Sequence, residues 1–260
     1  MDLGLKDKVA LVAAASQGLG YGTARALARE GARVSICSHV AADIESAAAR
    51  LSGETGADVL ATECDVRQAV SIQAWVERTA REWGSVDALF INAGGPPAAF
   101  FKELSDEQWQ AAFELTLLSA VRMIRSALPH MTRGGAILAS TSSSVREPIE
   151  RLGLSNVMRA GVTGLAKTLA DELAADGIRV NTLMPGRIDT ERIGQLDQAR
   201  ADKTGMSLEA VRAESLAKIP LGRLGTIDEY GTAAAFLLSP AASYITGATL
   251  RVDGGQMRSV

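Results

Sequence analysis

The chain has 260 residues, 47% apolar and 22% charged, the proportions of an ordinary globular protein near the upper size for one hydrophobic core. Its 27 Lys+Arg against 30 Asp+Glu give a formal net charge of −3 with both signs scattered, so there is no basic footprint of the kind nucleic acid demands. No run approaches the roughly 18 consecutive apolar residues of a membrane span, and Met1–Lys8 carries acidic residues where a signal peptide would be apolar. A cytoplasmic protein with no membrane or nucleic-acid partner is expected.

Short β-rich runs alternate with longer Ala/Leu-rich segments of helical period, the pattern of an α/β, doubly wound parallel sheet with helices on both faces. In chain order, a strand over Val9–Ala14 leads through a glycine-bearing turn to a helix over 19–30, and Gly31 marks its C-terminus. Strand Ala32–Ser38 and helix 42–52 follow, then strand Asp58–Glu63 and helix 68–82. Strand Val86–Ile91 precedes one long helix over 105–130, and strand Ala136–Ser140 precedes a helix over 154–175 ending at Gly177. Strand Arg179–Met184, an irregular polar stretch over about 187–225, helix 226–238 and strand Thr249–Val252 complete a seven-stranded sheet. The stretch 187–225 is too long for a plain connection and has the character of a substrate lid. Cys37 and Cys64, in apolar runs that read as strands, form neither a disulfide framework nor a metal cluster, so reduced buried thiols and no metal are expected.

The turn Ala13-Ala14-Ala15-Ser16-Gln17-Gly18-Leu19-Gly20 opens the first helix. Glycines there let the backbone approach a pyrophosphate, which the free N–H groups of a helix N-terminus would meet; a close-packed turn without a ligand is the alternative for this segment alone. The segment resembles the Gly-x-x-x-Gly-x-Gly turn of the short-chain dehydrogenase/reductase family, with Ala14 at the first glycine. Asp65-Val66 resembles the family's adenine-holding pair, and Asn92-Ala93-Gly94 its Asn-Ala-Gly turn. Arg179-Val180-Asn181 followed by Pro185-Gly186 and Ile188 resembles the segment passing the nicotinamide, and Val252-Asp253-Gly254-Gly255 the closing strand. This resemblance, spanning essentially the whole chain and similar in kind to the 3-oxoacyl carrier-protein reductases, implies a single Rossmann-type domain that binds a nicotinamide cofactor.

An acidic residue at the end of the second strand binds the ribose hydroxyls of NAD and repels the 2′-phosphate of NADP. Here the strand ends Cys37-Ser38-His39. With no carboxylate at Ser38, and with Ser38, His39 and Gln17 able to donate to a phosphate, NADP(H) is expected over NAD(H).

The resemblance also implies a Ser–Tyr–Lys arrangement, in which a tyrosine of lowered pKa exchanges a proton with the substrate oxygen while hydride moves at the nicotinamide. Ser142 matches the serine. Ser155 stands at the tyrosine position and Arg159 at the lysine position of the following helix, and Thr116 replaces the asparagine that holds a relay water. The three tyrosines are Tyr21, Tyr230 and Tyr244, none at the matching place. Residues 155 and 159 are one helical turn apart and share a face, so both are expected in the cleft. Arg159 cannot shuttle protons near neutral pH, but its planar fork can bind ribose hydroxyls or a carboxylate and stabilise charge. A general acid would have to come from Glu147, Glu150, Asp189 or the substrate; His130 lies near a helix end remote from these motifs.

The expectation is therefore an NADP(H)-dependent oxidoreductase interconverting a carbonyl and an alcohol through Ser142, Ser155 and Arg159. A nicotinamide-binding sensor or partner subunit without turnover, and a lyase or isomerase steadying an enolate, are the other readings. Pro96–Phe101, Pro148-Ile149 and the 187–218 segment would make an apolar pocket for a small-molecule substrate, with Arg151, Arg187 and Arg192 able to accept an acidic group, as in a β-keto compound. A homo-oligomer, dimer or tetramer, is expected by resemblance, paired through the helices over 105–130 and 154–175 with close approach at Ala160, Gly161 and Gly164.

Overall fold

The computed structural model of the chain describes residues 2–259. Seven parallel strands form one sheet in the order β3-β2-β1-β4-β5-β6-β7. They are β1 (Val9–Val12), β2 (Arg33–Ser38), β3 (Val59–Glu63), β4 (Val86–Ile91), β5 (Met131–Ser140), β6 (Arg179–Pro185) and β7 (Thr249–Val252). Ala10 pairs with Val34 of β2 on one side and Ala88 of β4 on the other, so β1 lies inside the sheet, covered on both faces, which is why it reads as an unbroken apolar run.

On one face pack α1 (Gly18–Arg29), α2 (Ala41–Thr55) and α9 (Ile227–Leu238), which contribute Leu27, Ile44, Leu51 and Leu237 to a core with Val34 and Phe90. On the other pack α3 (Ala69–Trp83), α5 (Ser119–Ala127) and α6 (Gly153–Glu172), with Ile72, Trp75, Met123 and Val162 against Leu11 and Leu89. The α1–α9 crossing needs two glycines. A Cβ on Gly22 would lie 2.3 Å from the Ile227 carbonyl oxygen, and one on Gly231 would lie 2.2 Å from that of Gly22.

Several boundaries depart from the sequence pattern for identifiable reasons. β1 stops at Val12 because Ala14 takes φ +49°, the left-handed region, at a cost of about 1–2 kcal/mol for a residue with a Cβ. The single helix expected over 105–130 is three pieces. α4 (Asp106–Ala112) starts on a Ser105/Gln108 capping box, a π-helical turn follows over Phe113–Leu118, and only then does α5 run to Ala127, followed by a short 3₁₀ turn over Leu128–His130. The stretch 187–225 is more regular than its composition suggests, holding α7 (Glu191–Thr204) and α8 (Leu208–Leu216). Gly205 at φ +70° closes α7, and the Ser207 hydroxyl accepts the Ala210 N–H at 3.1 Å to start α8.

Cys37 and Cys64 are buried and free, although Cys64 lies just past β3 instead of within a strand; burial and the neighbouring Cys64 push the Cys37 thiol up. Among the described residues no helix is long and apolar enough to cross a membrane, and no cluster of His, Cys, Asp or Glu is suited to a metal.

Candidate active site

Strand order reverses between β1 and β4, so the chain leaves their C-terminal ends in opposite directions and opens a crevice there. A cleft of about 810 Å³ occupies this place. Its walls bring together Ala14, Ser16, Gln17, Gly18 and Leu19 after β1, Ser38 and His39 at the end of β2, and Asp65 and Val66 after β3. Asn92, Ala93 and Gly94 follow β4, Ser142 follows β5, Ser155 and Arg159 come from α6, and Pro185, Gly186 and Ile188 close the far side. Gly20 is the exception. It lies under the turn and not in the cleft wall, because its missing Cβ makes room for backbone: a methyl there would sit 2.3 Å from the Ala14 carbonyl oxygen.

The turn after β1 is prepared for an anion. Gln17 at the N-cap of α1 makes no side-chain cap and the first turn holds no acidic residue, so no side chain competes for the helix N-terminal N–H groups. Gly18 takes φ +59°, Asn92 Nδ2 donates to the Ala14 carbonyl at 3.4 Å, and a Cβ on Gly94 would meet nothing within 4 Å. These features fit the pyrophosphate of a dinucleotide.

At the outer end, Ser38 is buried, His39 exposed, and neither is a carboxylate. Arg67 grips Asp65 through Nε–Oδ1 at 3.0 Å and Nη2–Oδ2 at 2.7 Å and holds its carboxyl below the ordinary value. A cation that sequence reasoning missed arrives from α2: Arg50 Nη2 donates to the Ser16 carbonyl at 3.2 Å, with its guanidinium 4.6 Å from the centre of the Tyr21 ring. Only the folding of α2 against α1 brings it to the turn.

At the inner end, the Ser142 hydroxyl accepts the Ser144 N–H at 3.1 Å, which leaves its own O–H free to donate. Ser155 is buried in the first turn of α6, and Arg159, one turn on, donates from Nη1 to the Ser140 carbonyl at 3.0 Å. Beneath them the Tyr230 hydroxyl lies 2.9 Å from Ser140 Oγ, so a tyrosine from α9 reaches the underside of the site that the sequence leaves without one. Burial pushes the Tyr230 phenol above its ordinary value, opposed by Ser140 and the Arg159 charge, so it remains a neutral hydrogen-bonding group. Burial lowers the Arg159 guanidinium, Tyr230 opposes that shift and Arg192 adds to it.

Arg192, the second residue of α7, reaches across the cleft to donate to the Pro96 carbonyl at 2.8 Å, and Gln256 arrives from the C-terminal segment. Thr116 Oγ1, within the π turn, is buried with no protein partner, an environment suited to an ordered water.

The carboxylates proposed as substitute acids do not line the cleft. Glu147 Oε1 accepts the backbone N–H groups of Arg258 and Ser259 at 3.1 and 3.0 Å and anchors the C-terminal segment, while Glu150 and Asp189 are exposed outside it. Of the candidate cations, Arg187 is paired with Asp197 and Arg151 lies over the Phe100 ring at 5.4 Å.

Residues 13–257 match a family model described as enoyl-(acyl carrier protein) reductase. The chain is 37% identical to cis-4-hydroxycyclohexanecarboxylate dehydrogenase of Sinomonas cyclohexanicum over 96% of each protein. It is 34% identical to the 3-oxoacyl-[acyl-carrier-protein] reductase FabG of Chlamydia muridarum over 96% of this chain and 98% of that one. Among solved structures it is similar to L-sorbose reductase from Gluconobacter frateurii complexed with NADPH and L-sorbose, with a TM-score of 0.93 and 30% identity over all of both chains.

Proposed function

Because the chain belongs to the short-chain dehydrogenase/reductase family and is a nicotinamide-dependent oxidoreductase of the carbonyl/alcohol type, we propose that it uses NADP(H) and works through an altered site of Ser142, Ser155 and Arg159. The observation carrying this reading is the junction of the nucleotide cradle with a cleft wall to which those three side chains contribute.

When bound, the nicotinamide supplies or accepts the hydride. The Ser142 O–H, freed by the Ser144 N–H, donates to the substrate oxygen, and Ser155 donates from the facing helix. Arg159 sets a fixed positive charge beside the oxygen as it becomes alkoxide-like, in a site where burial strengthens the interaction. Its hydrogen bond to the Ser140 carbonyl, with Tyr230 behind Ser140, holds the fork in place. Neither serine nor arginine releases a proton readily near neutral pH, so the proton that completes the alcohol comes from water through the hydroxyls.

A 3-oxoacyl-type carbonyl is the favoured substrate class, supported by likeness to the carrier-protein reductase. The stretch 187–225 is read as the substrate lid, supported by α7 reaching Pro96 across the cleft. A homo-oligomer paired through α6 is supported by exposed Ala160 and Gly164, with Val157 beside them, whereas Gly161 packs within the chain, where a Cβ would stand 2.8 Å from Leu117 Cδ2. The competing reading, a nicotinamide sensor without turnover, is favoured by the absence from the described inner wall of a group that titrates near neutrality. Steady-state NADPH consumption over a panel of oxoacyl, cyclic and sugar ketones decides between them. Turnover that Ser155→Ala abolishes supports the oxidoreductase, and cofactor binding without consumption across the panel supports the sensor.

The NADP(H) preference is supported by Arg50 and by the missing carboxylate at Ser38. Arg50→Ala is expected to weaken NADPH about tenfold, the lower end for a charge-assisted hydrogen bond at an exposed site, and to leave NADH affinity within about twofold. Fluorescence titration of both cofactors checks this; equal losses for the two would remove Arg50 from the 2′-phosphate.

A further inference from the structure

Resting on the oxidoreductase reading, and taking the free acid over the carrier thioester within the 3-oxo class, we propose that Arg192 is the anchor for a carboxylate on the substrate, so that the enzyme acts on oxo acids whose carbonyl faces Ser142, Ser155 and Arg159 while their carboxylate faces α7.

Arg192 is held in a setting that disfavours a cation in four respects. It is the second residue of α7, where the helix dipole is positive. It is half-buried, and burial lowers its guanidinium from the ordinary value. It lines the same cleft as Arg159, whose guanidinium its charge lowers further. Among the described residues neither guanidinium has a carboxylate within ion-pair distance. The nearby carboxylates have other partners: Asp65 pairs with Arg67, Asp197 with Arg187, and exposed Glu191, which also lines the cleft, accepts from Gln195 Nε2 at 3.3 Å.

Arg192 is nevertheless fixed in position. Its Nη2 donates to the Pro96 carbonyl at 2.8 Å, and its guanidinium lies against Gly95, where a Cβ would stand 2.9 Å from Nε and 3.0 Å from Cζ. One of its five N–H groups has that protein acceptor, and the rest of the fork remains for a ligand. A half-desolvated cation with an open fork, sharing the cleft with a second cation that has no ion-pair partner, is complementary to a planar anion entering it. The cofactor pyrophosphate has its own donors at the start of α1, so the anion assigned to Arg192 is the substrate's.

The test compares acetoacetate with methyl acetoacetate as substrates of the NADPH-loaded protein, in wild type, Arg192→Leu and Gly95→Ala. The acid is expected to be favoured at least tenfold in kcat/KM, the worth of one charge-assisted pair. Arg192→Leu should bring the ratio near one, and Gly95→Ala, which displaces the guanidinium with the charge retained, should lower it partway. Equal use of acid and ester by the wild type, or an unchanged ratio in Arg192→Leu, overturns the proposal. Calorimetric titration of the NADPH complex with cyclohexanecarboxylate and with cyclohexanecarboxamide reads the site without turnover. The carboxylate should bind at least tenfold more tightly, and Arg192→Leu should remove the difference. Carboxylate binding with no ketone reduced would sink the oxidoreductase reading and leave the anchor standing; ketone reduction with no carboxylate selectivity would do the reverse. A loss of NADPH affinity above tenfold in Arg192→Leu would assign the cation to the cofactor phosphates and also overturn it.

Discussion

Arg159→Met is expected to lower kcat/KM for ketone reduction by about 100- to 1000-fold, the usual effect of removing one preorganised group that stabilises developing negative charge. Methionine preserves much of the side-chain volume in a well-packed floor, so the loss reports charge and not a cavity. The geometry explains the size of the effect: the guanidinium is anchored on the Ser140 carbonyl, desolvated, and lines the cleft with Ser142 and Ser155, the two residues proposed to receive the substrate oxygen. NADPH affinity should fall less, by about tenfold or under, because the phosphates are held at α1 and not at α6. Arg159→Lys should recover part of the rate, since it restores the charge but not the planar fork. A pH profile separates charge stabilisation from proton transfer. Arg159, although lowered by burial, stays cationic through neutral pH, and Tyr230 stays neutral because burial raises it, so kcat for reduction should be level between about pH 6 and 9. Steady-state kinetics across that range make the check. A loss of under fivefold in Arg159→Met, or a steep titration in the wild type, would mean that another group carries the chemistry.

Gly20→Ala should produce the largest structural effect. Its new methyl would sit 2.3 Å from the Ala14 carbonyl oxygen and 2.8 Å from the Ala15 Cα, so backbone must move. Overpacking against a side chain costs about 1–3 kcal/mol, and backbone relaxes less easily, so a loss of about 3 kcal/mol is expected. That corresponds to a fall of roughly 6–12 °C in Tm for a domain of this size. The same displacement pushes the α1 N-terminus away from the turn, so NADPH binding should weaken about 100-fold. Gly94→Ala is the informative partner. It meets no protein atom within 4 Å, so stability should change by less than about 0.5 kcal/mol, while its methyl intrudes on the cleft that Gly94 lines. Thermal unfolding and cofactor titration of both variants separate the two roles; a stable Gly20→Ala that binds NADPH normally would contradict the packing account.

The two glycines also mark how far the sequence could be read. Both belong to turns recognised from residue type and spacing, yet the same reading placed both against the cofactor, and only Gly94 lines the cleft. The long helix over 105–130 failed for a related reason. Its apolar period continues through Phe113–Leu118, but one extra residue per turn is absorbed there as a π turn, which side-chain pattern does not register. Glu147 read as a candidate acid because it follows Ser142 closely, whereas its carboxylate is claimed by the backbone of residues 258 and 259.

The sequence by itself determined the alternation of strands and helices, the glycine-bearing turns and the one-turn spacing of Ser155 and Arg159 on a shared helix face. Each of these is set by neighbours a few residues away, through apolar period, glycine conformation or helical spacing. Tertiary structure decided what surrounds those residues. Tyr230 reaches Ser140 across 90 residues, and Arg192 reaches Pro96 across 96. Arg50 meets the Ser16 carbonyl only because α2 packs beside α1. Burial, and with it the strength of a charge and the pKa of a phenol, depends on which distant segments exclude water from a side chain, and that is a property of the packed sheet and its helices.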